Sequence, residues 1–242
     1  MINQKDNQII GDIHSFQSLG AVDGEGVRFV VFMQGCPLRC KCCHNPDTWE
    51  FGVGKKFTAE QVFQKVIRYK EYFGNDGGIT LSGGEPLMQS KFATQLFCLC
   101  KQNGINTCLD TSGCKIDKST KELLNHTDRV LLDVKYTNQE DYLENATMEY
   151  SALLEFLNLL DKKNVKTTVR QVIIPSVNDD EQNVLNLKRL KSQFACIDKI
   201  ELLSFKKICQ VKYDKMGIAF PFADKNQPSN ELMDKLNNLL NC

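Results

Sequence analysis

Three cysteines stand close together near the start of the chain, in the run GCPLRCKCCHN over residues 35–45. Cys36, Cys40 and Cys43 have a C-x3-C-x2-C spacing, and cysteine thiolates are the usual ligands of a 4Fe-4S cluster. Three cysteines bind only three of the four irons, so the fourth iron is open to a small molecule that can receive an electron there. The spacing therefore predicts a catalytic cluster.

The same run is also compatible with a zinc site in which Cys42 or His44 is the fourth ligand. Structural zinc sites usually draw their ligands from two paired knuckles, and no second C-x2-C pair follows in the sequence. We therefore favour the cluster, and keep a non-catalytic iron-sulfur or zinc-binding protein as the alternative from another class. The remaining seven cysteines are interpreted as core or surface thiols: Cys98, Cys100, Cys108, Cys114, Cys196, Cys209 and Cys242.

The composition bounds the partners and the location of the protein. Lys and Arg number 30, as do Asp and Glu, so no global field favours nucleic acid or an anionic membrane. No apolar stretch reaches the ~18 residues of a membrane span, and the polar N-terminus lacks the apolar region of a signal peptide. With 11 cysteines and no secretion signal, we expect the protein to lie in a reducing cytoplasm. We also expect it to be a monomer.

Strand and helix patterns alternate along the whole chain, without a linker or a repeat. Strands are predicted over 27–33, 78–81, 106–110, 129–134, 165–174 and 199–205. Helices are predicted over 58–73, 86–103, 118–125, 179–193 and 229–241, and helical material over 138–163. Strict alternation is typical of parallel strands with outer helices, in a barrel or a doubly wound sheet. We favour an α/β fold with an incomplete (β/α)6 barrel and one domain over residues 1–242.

Polar and glycine residues follow the predicted strands, at the edge where parallel α/β folds bind their ligands. Ser82-Gly83-Gly84-Glu85 follows the second strand, and its glycines would let the backbone approach a ligand. Asp110-Thr111 ends the third strand, and Asp133-Val134-Lys135 ends the fourth. Arg170 lies within the fifth strand and Lys206 just after the sixth. Taken singly, each has an ordinary structural explanation as a turn, a cap or a solvated charge. Their order along successive strand ends favours a site for a zwitterionic ligand beside the metal.

The cysteine motif followed by Ser82-Gly83-Gly84-Glu85 resembles the radical S-adenosylmethionine (SAM) superfamily. A closer resemblance, to activating enzymes of glycyl radical enzymes, rests on short motifs along nearly the whole chain. These are Ser15-Phe16, Val22-Asp23-Gly24, Gly26-Val27-Arg28-Phe29, Gln34-Gly35-Cys36, Cys43-His44-Asn45, Asp47-Thr48-Trp49, Cys108-Leu109-Asp110-Thr111 and Ile200-Glu201-Leu202-Leu203. Trp49 leads through a short link into the helix at Thr58, with no ferredoxin-like insert. Other activating enzymes that this resemblance includes usually carry the insert, so its absence favours pyruvate formate-lyase as the protein substrate. Activation of another glycyl radical enzyme and modification of a small molecule are the alternatives.

The resemblance implies a radical SAM enzyme. In this family a reduced cluster gives one electron to SAM, and the resulting 5′-deoxyadenosyl radical takes a hydrogen from a glycine Cα of the partner. It also implies a flavodoxin or ferredoxin as electron donor. The resemblance implies SAM contacts from Cys42, Cys43, His44, Gly84, Asp133, Val134, Lys135, Arg170 and Lys206. It implies a monovalent cation site formed by Asp110, Thr111 and Asp133. The loop near the glycyl peptide would be formed by Asp23, Gly24, Gly26 and Arg28.

Three residues depart from the family pattern. Cys42 stands where an aromatic residue usually precedes the last cluster ligand, so a thiol would replace ring stacking near adenine. Lys206 occupies a position where the family often has a histidine. Glu25 replaces a proline and adds a charge where the partner's glycine segment should enter. We expect the ligand set Cys36, Cys40 and Cys43 to survive these changes.

Overall fold

The structure, a computed structural model, describes residues 9–241, so Cys242 and the first eight residues lie outside the described part. The strands are β1 (Ile10–Gly20), β2 (Arg28–Met33), β3 (Lys55–Thr58), β4 (Gly78–Gly83), β5 (Asn106–Thr111), β6 (Arg129–Asp133), β7 (Lys166–Ile173) and β8 (Ile197–Ser204). The α-helices are α1 (Ala59–Val66), α2 (Ser90–Gln102), α3 (Lys118–Leu123), α4 (Gln139–Ala146), α5 (Tyr150–Lys162), α6 (Glu181–Gln193), α7 (Gln210–Met216) and α8 (Asn230–Asn241). None of these helices has the length and apolar character needed to span a bilayer.

All six predicted strands are present as β2 and β4 to β8, each within two residues of the predicted bounds. The helical material predicted over 138–163 is present as two helices, α4 and α5, which are separated because Thr147 after α4 takes a left-handed conformation with a φ of 57°. The sequence analysis also missed β1, β3 and α7. Strand β1 therefore precedes the predicted β/α alternation, and β3 lies between β2 and α1.

The strands follow the order β3-β1-β2-β4-β5-β6-β7-β8, in which β3 and β8 are the two ends. β1 pairs antiparallel with both β2 and β3, whereas β2 with β4, β4 with β5, and β7 with β8 pair in parallel. The fold is thus α/β with a mostly parallel, open sheet, as predicted, plus an antiparallel edge that was not predicted. Parallel pairing aligns the carboxyl ends of β2 and β4, and Cys36 and the Ser82–Glu85 loop lie at those ends.

The described residues group into two compact units. The first runs through Cys36 and adds 50–111 and 115–130, and the second contains 37–49, 112–114 and 131–241. In the first, Val31 of β2 and Leu81 of β4 are fully buried, as is Leu96 of α2. In the second, Ile173 of β7 is buried in an apolar cluster with Val184 and Leu236. The single domain over 1–242 stays a prediction.

Helix α1 begins with a reciprocal cap. The Thr58 hydroxyl accepts from Gln61 N (3.1 Å), and the Gln61 side chain accepts from Thr58 N (2.9 Å). Replacing Thr58 by Ala removes one half of this capping box, and we expect the free energy of unfolding in urea to fall by ~1 kcal/mol. Thr58→Ser keeps the hydroxyl and should lose much less. Equal losses in the two variants would contradict the role of the cap.

Candidate functional site

The Ser82–Glu85 loop at the end of β4 lies against the residues that lead into Cys36. Gly84 N donates to Met33 O and Glu85 N to Gly35 O, both at 2.9 Å. A Cβ on Gly84 would lie 2.4 Å from Gly35 O, so only glycine allows this approach. Gly83 is equally constrained, because its φ is 100° and a Cβ there would lie 2.6 Å from Met33 N. The glycine pair is therefore required for close backbone packing, besides its predicted role in letting the backbone approach a ligand.

A short polar network links this loop to β5. The Ser82 hydroxyl donates to Asp110 Oδ2, and the Thr111 hydroxyl donates to Glu85 Oε1, each at 2.6 Å. The buried Glu85 carboxylate also accepts from Leu87 N at 3.0 Å. The sequence analysis quoted Glu85 only as part of a motif, yet its carboxylate fixes both the loop and Thr111. The predicted cation ligands Asp110 and Thr111 are therefore held by hydrogen bonds in this unit.

The predicted peptide-binding loop is fastened by Arg28, which is 1% exposed. Its guanidinium donates to Thr80 Oγ1 (3.0 Å), Asn106 Oδ1 (2.8 Å), Asp76 O (3.1 Å) and Glu25 O (3.4 Å). Burial lowers the pKa of Arg28 from its ordinary value, and nearby thiol and carboxylate groups oppose that shift. Arg28 thus holds the loop from beneath and does not project from it.

The loop itself depends on its glycines and carries one exposed charge. Gly24 and Gly26 have φ values of 127° and 67°, and a Cβ on Gly26 would lie 2.4 Å from Gly77 N. The exposed Glu25 carboxylate lies 3.3 Å from the guanidinium of Arg129. The charge that Glu25 adds, where the family pattern has proline, is therefore balanced by Arg129 of the same unit.

In the second unit, the cysteine loop is tied to the end of helix α4. Cys43 N donates to Cys40 O at 3.1 Å and closes a turn between the two predicted ligands. Lys41 N donates to Asn145 O at 2.8 Å, and Arg39 N donates to the Thr147 hydroxyl at 3.1 Å. These bonds fix the backbone that carries Cys40 and Cys43.

The other side of the loop is held by α7 and the segment before it. The Tyr213 hydroxyl donates to Cys43 O at 3.2 Å, and His44 Nε2 donates to Lys206 O at 2.8 Å. The Lys212 ammonium bonds Asn45 Oδ1 at 2.8 Å and Asp47 Oδ1 at 2.9 Å. Sequence reasoning missed these anchors, because α7 has only seven residues and Tyr213 belongs to no motif.

Cys42 lies in an apolar cluster of the second unit. Its buried neighbours there are Ile174, Phe205, Cys209, Tyr213, Phe220 and Phe222. Burial raises the pKa of the Cys42 thiol to about 11 and also raises that of Cys43, so it is the apolar packing, and not the shift in pKa, that distinguishes Cys42. This environment is consistent with the expectation that Cys42 is not a cluster ligand.

Asp133 and Lys135, both predicted to contact SAM, form an ion pair at the end of β6. Burial opposes the charge of Lys135, but the adjacent Asp133 and the thiols of Cys40 and Cys42 outweigh it and raise the pKa of the ammonium. Lys135 N also donates to the Tyr142 hydroxyl at 3.0 Å. A fixed cation therefore acts on the cysteine loop, where it would stabilise thiolates.

The remaining predicted SAM contacts have structural partners or face solvent. Val134 is buried, and its N donates to Arg170 O at 2.8 Å. The Arg170 side chain pairs with Glu201 across β7 and β8 at 3.1 Å. The carbonyl of Lys206 binds His44, while Lys206 itself is exposed.

The donor set fits an iron-sulfur cluster better than a hard cation. Cys40 and Cys43 are half-buried thiols three residues apart in a hydrogen-bonded turn, with the Lys135 cation acting on them. Such soft ligands in a low-dielectric, cationic setting suit a cluster. Across residues 9–241, no three His, Cys, Asp or Glu side chains are already drawn together as a metal site.

Comparison with known proteins defines the class first. Residues 22–155, more than half of the chain, match the family described as a 4Fe-4S single cluster domain. The fold is similar to that of a solved radical SAM methyltransferase from Sphaerobacter thermophilus, with a TM-score of 0.65 and 17% identity over 88% of this chain and 63% of that one. The chain therefore belongs to the 4Fe-4S single cluster family, and the predicted α/β fold with an incomplete barrel is confirmed.

Two relatives narrow the class. The pyruvate formate-lyase-activating enzyme of Clostridium pasteurianum is 39% identical over 96% of this chain and 98% of its own. The pyruvate formate-lyase 1-activating enzyme of Escherichia coli K12 is 38% identical over 96% of both chains. The chain belongs to the pyruvate formate-lyase-activating enzyme family, and the predicted resemblance is confirmed.

Two adjacent cysteines provide a matched test of the ligand set. Cys43→Ala should reduce the iron bound after anaerobic reconstitution well below the about four atoms per chain of a full cluster. Cys42→Ala should keep that iron, because it removes only an apolar contact, with a loss of ~1 kcal/mol in unfolding free energy. Iron and sulfide analysis with urea denaturation checks both. Normal iron in Cys43→Ala, or its loss in Cys42→Ala, would contradict the assignment.

Proposed function

We propose that this chain cleaves SAM reductively and generates the glycyl radical of pyruvate formate-lyase, with a 4Fe-4S cluster on Cys36, Cys40 and Cys43. The observation that carries the proposal is the anchored cysteine loop, in which Cys42 is in an apolar cluster. Likeness over 96% of the chain to relatives named for this activity supports it. Activation of another glycyl radical enzyme is the alternative.

A cluster held by Cys36, Cys40 and Cys43 would supply one electron to the sulfonium of SAM, so that the bond from sulfur to C5′ breaks, methionine leaves, and the 5′-deoxyadenosyl radical takes the glycine Cα hydrogen and becomes 5′-deoxyadenosine. The chain's own residues bind and orient the reactants. Lys135 and Asp133 present paired charges that suit the carboxylate and ribose of SAM, and Gly84 lies in a loop rigid enough to receive its methionine part. No side chain is required as a general acid or base.

The finer roles extend this proposal. Asp110, Thr111 and Asp133 would supply oxygen ligands for a monovalent cation that offsets the SAM carboxylate. The loop with Gly24, Gly26 and Glu25 would receive the partner's glycine segment, held in shape by Arg28. A flavodoxin or ferredoxin would be the electron donor, and the protein would act as a cytoplasmic monomer.

The direct test is activation of the partner. The anaerobically reconstituted protein is incubated with SAM, dithionite and pyruvate formate-lyase, and electron paramagnetic resonance is recorded. We expect a glycyl radical signal together with 5′-deoxyadenosine, and neither product with Cys43→Ala. If 5′-deoxyadenosine forms but pyruvate formate-lyase gains no radical, the partner is wrong; if neither forms in the wild type, the enzymatic proposal fails.

Two lysines are predicted to contact SAM, and one is half-buried whereas the other is exposed. The same substitution at both positions tests whether the buried one binds SAM more strongly. Lys135→Met removes a half-buried cation paired with Asp133, and we expect SAM affinity to fall ~10-fold. Lys206→Met changes an exposed lysine and should alter affinity by less than about twofold. Equilibrium binding of SAM to the reconstituted variants measures both. Equal effects would show that burial does not distinguish the two sites.

A further inference from the structure

Tyr136 has a buried hydroxyl without a hydrogen-bond partner among the described residues. The residue follows β6, is 1% exposed, and its phenol oxygen has no hydrogen-bond partner within residues 9–241. A buried donor without a partner is destabilising relative to phenylalanine, which has the same shape and no hydroxyl. Such a group suggests a ligand that completes the site.

The ring of Tyr136 is fixed by its neighbour. It packs edge to face against Tyr142, with centroids 6.0 Å apart and an interplanar angle of 86°. The Tyr142 hydroxyl, in contrast, accepts from Lys135 N at 3.0 Å and is satisfied. The two adjacent tyrosines thus differ in one respect: only the hydroxyl of Tyr136 lacks a partner.

The cysteine loop is joined to Tyr136 through helix α4. The ring of Tyr136 packs on Tyr142 of that helix, and Asn145 O of the same helix accepts from Lys41 N of the loop at 2.8 Å. Burial is the main cause that raises the pKa of the Tyr136 phenol, with a smaller contribution from Cys42 and Cys40. A cluster bound to this loop would add sulfur atoms as hydrogen-bond acceptors.

We propose that the Tyr136 hydroxyl donates a hydrogen bond to a sulfur of the bound cluster, either an inorganic sulfide or the Cys40 thiolate. The inference rests on the cluster of the proposed function. A hydrogen bond to cluster sulfur stabilises the reduced, more negative state and raises the reduction potential. Tyr136 would thereby make the cluster easier to reduce.

The first test uses the cluster-free protein, with Tyr142→Phe as the control. Tyr136→Phe removes an unsatisfied hydroxyl and should leave the melting temperature equal to or above that of the wild type. Tyr142→Phe removes a satisfied hydroxyl and should lower it. A clear loss of stability in cluster-free Tyr136→Phe would overturn the inference, because it would show that the hydroxyl already has a partner in the chain.

The second test uses the reconstituted protein without SAM. Tyr136→Phe should have a more negative midpoint potential than the wild type and should lose an exchangeable proton coupled to the reduced cluster in electron-nuclear double resonance. Site-specific 3-fluorotyrosine at 136, a stronger donor, should shift the potential the opposite way. Unchanged potentials and coupling in both variants would overturn the inference, as would a coupling that appears only after SAM is added. Failure of the proposed function would appear in a different measurement, as the absence of 5′-deoxyadenosine and of the glycyl radical with the wild-type protein.

Discussion

The cysteine loop is held by hydrogen bonds on both sides, and the chemistry of the site depends on that attachment. Helix α4 supplies partners for the backbone at Lys41 and Arg39, and the segment through α7 binds Cys43 O and the Asp47 side chain. Each such bond contributes only about 1 kcal/mol, but together they limit the loop to one conformation. Ligands on a fixed loop bind a cluster without a large entropic cost of ordering.

The same attachment determines which thiols are available. With the backbone fixed, Cys42 lies among Phe205, Phe220 and Tyr213, while its neighbour Cys43 is only half-buried. The Lys135 ammonium, paired with Asp133, completes the electrostatic setting. Packing therefore separates adjacent residues of identical chemistry into one core residue and one candidate ligand. It also supports the interpretation that one iron has no protein ligand.

The parts of the fold that follow from local patterns were predictable. Six strands and the cap at Thr58 follow from runs of apolar residues and from one hydroxyl at a helix start. Strand β1 was missed because its exposure does not alternate and glycine stands within it. Helix α7 was missed because it is short and is stabilised by tertiary contacts, such as that between Tyr213 and Phe220, whose ring centroids are 4.7 Å apart. The candidate cluster ligands were predictable because their spacing is local. Arg28 was not, since its partners Thr80 and Asn106 lie 52 and 78 residues away.

The central claim is that three cysteines bind the cluster and leave one iron for SAM. Mössbauer spectroscopy of protein reconstituted with iron-57 tests it most directly, because each iron contributes to the spectrum. Addition of SAM should shift the signal of about one iron in four and leave the others in place. A spectrum that SAM does not change, or a protein that takes up zinc in preference to iron and sulfide, would contradict the account.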